Sequence, residues 1–186
     1  GLPGFPGRKH PLGPPDHGFH RVDQATRKKV LLACSATPRH TFFVLTKRPA
    51  TAAVFLMAHG DDLDLSNVWI GTSIENQGTA FRALDLNRCH KAANVAGIWL
   101  SIEPMLGPVD FRPWSLANVG WVVCGAEAGA GSRECNIEWV RELRDQITEA
   151  GIPFFYKQGP GDDGRVVKMP AIDGRVWKQY PKEEER

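Results

Sequence analysis

The chain has 186 residues, of which 42% are hydrophobic and 24% are charged, and its formal net charge is +2. These values are typical of a globular protein with one medium-sized domain. No apolar run approaches the roughly 18 residues of a membrane-spanning helix, and the small net charge gives no argument for a membrane or nucleic-acid surface.

The first 18 residues, GLPGFPGRKHPLGPPDHG, are rich in glycine and proline. This composition predicts a disordered leader over 1–18, followed by a folded domain over 19–180 and a charged tail over 181–186. The leader has no signal-peptide pattern, so we expect a cytoplasmic protein. The chain has no initiating methionine, and we interpret it as a fragment of a longer protein.

Helical patterns alternate with apolar runs from about residue 22 onward. Asp23 and Asn136 are predicted helix N-caps, Pro49 is suited to a first helical position, and Gly151 is suited to a helix end. The predicted helices are 23–35, a short helix from Pro49, 79–90 and 137–150. The apolar runs are predicted strands, at 40–46, 67–74, 97–102, 120–126 and 152–157.

These apolar runs lack the alternation of a strand with one wet face, so they predict strands that are buried on both faces. Helices between them favour parallel βαβ units with right-handed crossovers. The sequence therefore predicts an α/β fold, either an open parallel sheet or part of a (β/α) barrel. A complete eight-stranded barrel typically needs about 250 residues, more than this chain has.

Charged side chains stand where the predicted strands end. In parallel β/α folds the carboxyl ends of the strands meet at one edge, and ligands bind there. We therefore predict a shared rim that binds a polar cofactor, a cationic amine or a divalent metal. Two lysines near three carboxylates would keep those carboxylates ionised. The five predicted rim residues are Lys47, Glu75, Glu103, Glu127 and Lys157.

Two other features give weaker signals. The small-residue loop CGAEAGAGS (124–132) suits either a backbone approach to a phosphate or a tight turn. The four cysteines are far apart and form no CxxC pair, so we expect buried thiols rather than a zinc or iron–sulfur site. The cysteines are Cys34, Cys89, Cys124 and Cys135.

Several motifs resemble the gene-product-37/gene-product-68 phage proteins, a family whose function is unknown. The resemblance implies a partial TIM-type barrel similar to that of radical S-adenosylmethionine enzymes. It also implies a three-cysteine stretch for a [4Fe–4S] cluster near the start of intact members. This chain lacks such a stretch, so we expect an N-terminally incomplete barrel, with S-adenosylmethionine as a cofactor of intact relatives. The motifs are LTKRP (45–49), NVWIGTSIENQ (67–77), LSIEPMLGPVD (100–110), WVVCGAEAGAGSR (121–133), WVRELRDQ (139–146), GIPFFYKQ (151–158) and DGRVW (173–177).

Three functional hypotheses follow. The first is a phage-related, radical-S-adenosylmethionine-like half-barrel whose rim binds a polar cofactor or substrate. The second is a hydrolase or lyase that uses the strand-end glutamates for a divalent metal. The third is a non-catalytic phage accessory protein that binds a protein or nucleic acid through Arg27-Lys28-Lys29, Lys47-Arg48 and exposed tryptophans. The sequence assigns no catalytic residue and no oligomeric state.

Overall fold

A computed structural model describes residues 23–114, 116–161 and 165–181 of the chain. The predicted leader at 1–18 lies outside the described residues. So does the predicted tail at 181–186, except for its first residue. These two predictions therefore stay predictions.

The fold is mixed α/β, with a six-stranded, mostly parallel sheet that curls into a half-barrel. The first five strands are parallel and stand in the sheet in chain order, whereas β6 is antiparallel to β5. The predicted parallel β/α arrangement is confirmed. The sequence patterns did not predict β6 or a separate two-stranded hairpin, β7–β8. The strands are β1 (Phe42–Thr46), β2 (Leu65–Ser73), β3 (Val95–Ile102), β4 (Val119–Gly125), β5 (Phe154–Pro160), β6 (Val166–Lys168), β7 (Ala171–Ile172) and β8 (Arg175–Val176).

Four α-helices accompany the sheet, and the predicted terminal residues of α1, α2 and α4 stand at the ends of those helices. The Asp23 carboxylate accepts a 2.7 Å hydrogen bond from the first turn of α1, and the Asn136 side chain caps α4 in the same way. Pro49 is the first residue of α2, and Gly151 adopts a φ of 72° just after α4 ends. None of the described helices is long and apolar enough to cross a membrane. The helices are α1 (Gln24–Ser35), α2 (Pro49–His59), α3 (Arg82–Ala92) and α4 (Ile137–Glu149), with single 3-10 turns at Gly60–Asp62 and Gln77–Thr79.

The two faces of the sheet differ in character. On the helix side, alternate aliphatic residues such as Val68, Ile70 and Ile98 are at most 3% exposed and form the hydrophobic core. The prediction of strands buried on both faces is wrong for β1, because Phe43 and Leu45 on the other side are 45% and 42% exposed. The described helices pack on only one face of this edge strand.

The face away from the helices is concave and aromatic. Neighbouring strands are about 4.8 Å apart, so a flat sheet would separate β1 from β4 by about 14 Å. The ring centroids of Phe43 on β1 and Trp121 on β4 are nevertheless only 5.4 Å apart. We refer to this surface as the concave aromatic face; its members are Phe43, Trp69, Trp99, Trp121, Phe155 and Tyr180.

Long-range hydrogen bonds hold further segments of the chain near both lateral edges of the sheet. The buried Asn67 side chain donates hydrogen bonds of 2.9–3.1 Å to the Cys34 carbonyl in the last turn of α1 and to the Thr37 and His40 carbonyls after the helix, and these bonds join α1 to β2. At the opposite edge, residues 177–180 run antiparallel to the first half of β5, through a bridge between Phe155 and Lys178. β6 covers the second half of β5.

Candidate functional site

Glu75 bridges two cations, Lys47 and Arg82, at the carboxyl ends of β1 and β2. Glu75 Oε1 lies 2.9 Å from Lys47 Nζ, and Glu75 Oε2 lies 3.0 Å from Arg82 Nη1. Arg82 also donates a 2.7 Å hydrogen bond to the Ser73 carbonyl, at the last residue of β2. The side chains of Glu75 and Arg82 are only 13% and 18% exposed, whereas that of Lys47 is 51% exposed. The ammonium of Lys47 therefore remains accessible to a ligand.

Glu103, directly after β3, and Lys157, within β5, form a second pair. Lys157 Nζ lies 3.2 Å from Glu103 Oε1, although its hydrogen bond, at 3.4 Å, goes to Oε2. The Ser101 hydroxyl donates to the same Oε2 atom. Oε1 is buried and accepts no hydrogen bond from any described residue, so only the charge of Lys157 compensates it.

A glycine on β4 makes room for this carboxylate. A Cβ atom on Gly125 would lie 2.5 Å from Glu103 Oε1, closer than side-chain carbons ever approach. The chain after β3 is then tied across the sheet, because Met105 N–H donates to the Gly125 carbonyl and Leu106 N–H donates to the Glu75 carbonyl. These bonds place the Glu103 segment between the ends of β2 and β4.

Glu127 has a different environment. Both of its carboxylate oxygens bind the Arg133 guanidinium, at 2.5 and 2.7 Å, and the Arg133 backbone N–H adds a third hydrogen bond. These bonds lower the pKa of Glu127 to about 2. The loop between the two residues turns through Gly129 and Gly131, which have positive φ values of 113° and 77°. This geometry is that of a tight turn closed by an ion pair within one loop.

Four of the five predicted rim residues form two ion-paired groups, whereas the fifth, Glu127, does not join them. Lys47 with Glu75, and Glu103 with Lys157, pair across different strands, whereas Glu127 pairs within its own loop. Lys157 lies inside β5 rather than at its end, because pairing with β6 extends this strand to Pro160. We refer to the paired set as the ion-pair rim: Lys47, Glu75, Arg82, Glu103 and Lys157.

Sequence reasoning missed Arg82 and the spatial role of Gly125. Arg82 is the first residue of α3, seven positions after Glu75, and a basic residue at a helix start gives no signal of its own. The sequence shows Gly125 only as part of the small-residue loop 124–132. Its contact with Glu103 depends on the lateral order of β3 and β4, which local sequence does not contain.

The described residues do not fit a metal centre or an iron–sulfur cluster. No three His, Cys, Asp or Glu side chains in the described part of the chain are grouped to hold a metal ion. The four cysteines are buried, as predicted: three lie in α1, α3 and β4, and Cys135 lies in the loop before α4. Burial raises the pKa of Cys89 to about 12 and that of Cys135 to about 11, which disfavours the thiolate that a metal needs.

A shallow depression of about 480 Å³ lies at the opposite end of the sheet, between the start of β4 and the turn after α4. Its lining residues, at 116–120 and 150–153, carry no charged side chain. The charged groups with interstrand partners lie at the rim instead. The candidate site is therefore at the carboxyl ends of the strands.

Comparison with known proteins places the chain in one family. The family described as Protein of unknown function (DUF5131) matches residues 16–181, which include all of the described helices and strands. No curated protein and no solved structure matches the chain. The chain therefore belongs to the DUF5131 family of proteins of unknown function.

Proposed function

We propose that the ion-pair rim binds a polar small molecule through an anionic or zwitterionic group. The observation that carries this proposal is the pair of half-exposed lysine side chains, Lys47 (51%) and Lys157 (53%), each paired with a glutamate whose side chain is less than 20% exposed. The carboxylates fix the positions of the ammonium groups. The remaining N–H donors of the ammonium groups face solvent and can bind a ligand.

The charge balance of the rim favours an anionic group. Three cations surround two carboxylates, and Glu75 is shared between Lys47 and Arg82. A carboxylate or phosphate near Lys47 would therefore meet a local positive charge in a partly desolvated place, where ionic hydrogen bonds are strongest. Glu127 is left out of this set, because Arg133 already occupies both of its oxygens.

A more specific form of the proposal identifies the protein as a phage-related, radical-S-adenosylmethionine-like, TIM-type half-barrel. It is supported by the half-barrel sheet with strands in chain order, and by four of the seven resembling motifs, which span the carboxyl ends of β1 to β4. S-adenosylmethionine then becomes the ligand to test. Lys47 or Lys157 would bind its carboxylate, and Glu75 or Glu103 its amine or ribose.

Isothermal titration with S-adenosylmethionine tests this proposal. We expect measurable heat with the wild-type chain, and at least a tenfold weaker affinity for Lys47→Met and Lys157→Met, which keep the apolar stem but lose the charge. Lys91→Met removes an exposed lysine on the last turn of α3 and serves as the matched control. The S-adenosylmethionine form of the proposal is wrong if the folded wild-type chain gives no heat, or if Lys91→Met weakens binding as much as the rim variants do.

The other two hypotheses have less support. A divalent metal would have to displace cations from Glu75, Glu103 and Glu127. The metal hypothesis predicts that millimolar magnesium or manganese raises the melting temperature. The nucleic-acid reading depends on two basic clusters, but Lys28 and Lys47 already pair with acidic residues. It predicts DNA binding that weakens steeply with salt.

A further inference from the structure

The concave aromatic face begins directly below the ion-pair rim. Phe43, Leu45 and Lys47 follow one another on the same side of the β1 chain, because alternate residues of a strand share a face. Their side chains are substantially exposed, at 45% for Phe43, 42% for Leu45 and 51% for Lys47. An apolar, partly aromatic surface thus leads to an accessible ammonium group.

Trp121 is at the centre of this face. Its ring centroid lies 5.4 Å from that of Phe43, 5.7 Å from Trp99 and 5.9 Å from Tyr180. Phe43 and Tyr180 are the two most exposed rings of the face, at 45% and 55%, whereas Trp99 is 8% exposed. The face therefore consists of rings packed against one another, of which Phe43 and Tyr180 are the most accessible.

Two glycines let the indoles of this face lie against the neighbouring strands. A Cβ atom on Gly71 would lie 2.4 Å from the Trp99 indole, and a Cβ on Gly97 would lie 2.7 Å from the Trp69 ring. The indoles therefore lie directly on the backbone of the neighbouring strand. The indoles therefore cannot move closer to the sheet.

We infer that the concave aromatic face receives the planar heteroaromatic ring of an anionic small molecule, with the ring on Phe43 and Leu45 and the anionic group at Lys47. This inference rests on the proposed function, because it uses the same ammonium group, and it adds the class of ligand. At about 3.3 Å per residue, Leu45 and Phe43 lie roughly 7 and 13 Å from Lys47 along the strand. A nucleotide-sized ligand spans that distance.

A small molecule fits this surface better than a second copy of the chain. The three most exposed apolar side chains here, Phe43, Leu45 and Tyr180, expose roughly 250 Å² together, if an aromatic side chain offers about 200 Å². A standard protein interface buries about 800 Å² on each partner. A flat ring, in contrast, covers an area of the size that is exposed here, and aromatic side chains stack on any heterocycle.

Adenosine 5′-monophosphate and ribose 5-phosphate separate the ring from the anionic group. By isothermal titration we expect the wild-type chain to bind the monophosphate at least tenfold more tightly than ribose 5-phosphate. Phe43→Ala should remove that difference and leave ribose 5-phosphate binding unchanged, whereas Lys47→Met should weaken both. Phe43→Leu keeps the apolar area without the ring, and is expected to lose most of the difference. Met57→Ala, which truncates an exposed apolar residue on α2, is the control.

Each outcome decides between the two proposals. Equal affinity for the two probes overturns the ring inference and leaves the anion site standing. A tenfold difference that depends on Phe43 but not on Lys47 contradicts the proposed anion site and the placement of the anionic group at Lys47, and so overturns the inference as stated. If neither probe binds the folded protein, both are wrong. A dimer in sedimentation that Phe43→Ala dissociates would show that a second copy covers the face, and would also overturn the inference. Near-UV circular dichroism establishes that each variant is folded.

Discussion

Gly71→Ala tests the packing of the concave aromatic face most directly. The new methyl group would lie 2.4 Å from both Nε1 and Cε2 of Trp99, whereas carbon atoms in contact are about 3.5–4.0 Å apart. The indole would have to move by about 1 Å. It is 8% exposed and packed against Phe43 and Trp121, so little free space exists for this movement.

The expected magnitude follows from two opposing effects. Overpacking a well-filled region costs about 1–3 kcal/mol of unfolding free energy. Replacing a strand glycine by alanine returns about 0.5–1 kcal/mol, because the unfolded chain loses freedom. We therefore expect Gly71→Ala to destabilise the protein by about 1 kcal/mol, which corresponds to a decrease of about 2–4 °C in melting temperature for a chain of this size.

Urea unfolding followed by tryptophan fluorescence gives the free energy, and near-UV circular dichroism reports the displaced indole. Gly107→Ala is the matched control, since its Cβ would meet only one neighbour, at 3.4 Å. We expect this control to change stability by less than about 0.5 kcal/mol. A Gly71→Ala variant as stable as the wild type, with an unchanged near-UV spectrum, would refute the close packing of Trp99 on β2.

Three further predictions concern other parts of the molecule. Asn67→Ala removes three hydrogen bonds from a buried side chain and should lower the free energy of unfolding by about 1–3 kcal/mol in urea titrations; an unchanged midpoint would contradict the role of Asn67 in holding α1. Gly159→Ala would place a methyl group 1.6 Å from the buried Tyr156 hydroxyl, so we expect a loss of about 2–3 kcal/mol, larger than that of Gly71→Ala, by the same assay. Glu127→Gln should be less stable than the wild type at pH 6, because the bond with Arg133 lowers the pKa of Glu127 from 4.5 to about 2. A carboxylate with a lowered pKa stabilises the folded state above its unfolded pKa and loses that effect as pH falls. The difference between Glu127→Gln and the wild type should therefore shrink from about pH 4.5 to pH 2, and a gap that stays constant over this range would exclude the ion pair as its cause.

The strands and helix ends could be predicted well because their signals are local. The Asp23 and Asn136 caps act on residues within one turn, and each predicted strand overlaps an observed one. Strand ends were less exact. β5 extends to Pro160, because pairing with β6 lengthens it, and such pairing leaves no mark in the local pattern.

The two-sidedness of the sheet could not be predicted from the apolar runs. Aliphatic and aromatic residues both count as apolar, so the runs did not show that one face packs on helices and the other is lined with rings. The exposure of Phe43 and Leu45 depends on the position of β1 at the sheet edge. Strand order is a property of the assembled sheet.

The candidate site shows the same division. The sequence by itself determined that Lys47, Glu75, Glu103 and Lys157 stand at or near strand ends, because a parallel β/α pattern brings those ends to one side. Only the tertiary structure decided which charges meet. Lys157 and Glu103 are 54 residues apart in the chain but in ionic contact in space, whereas Glu127 finds Arg133 only six residues away. Ion pairing acts over a few ångströms, so the partner of each carboxylate is set by the lateral order of the strands and by glycines such as Gly125, which let the chains approach.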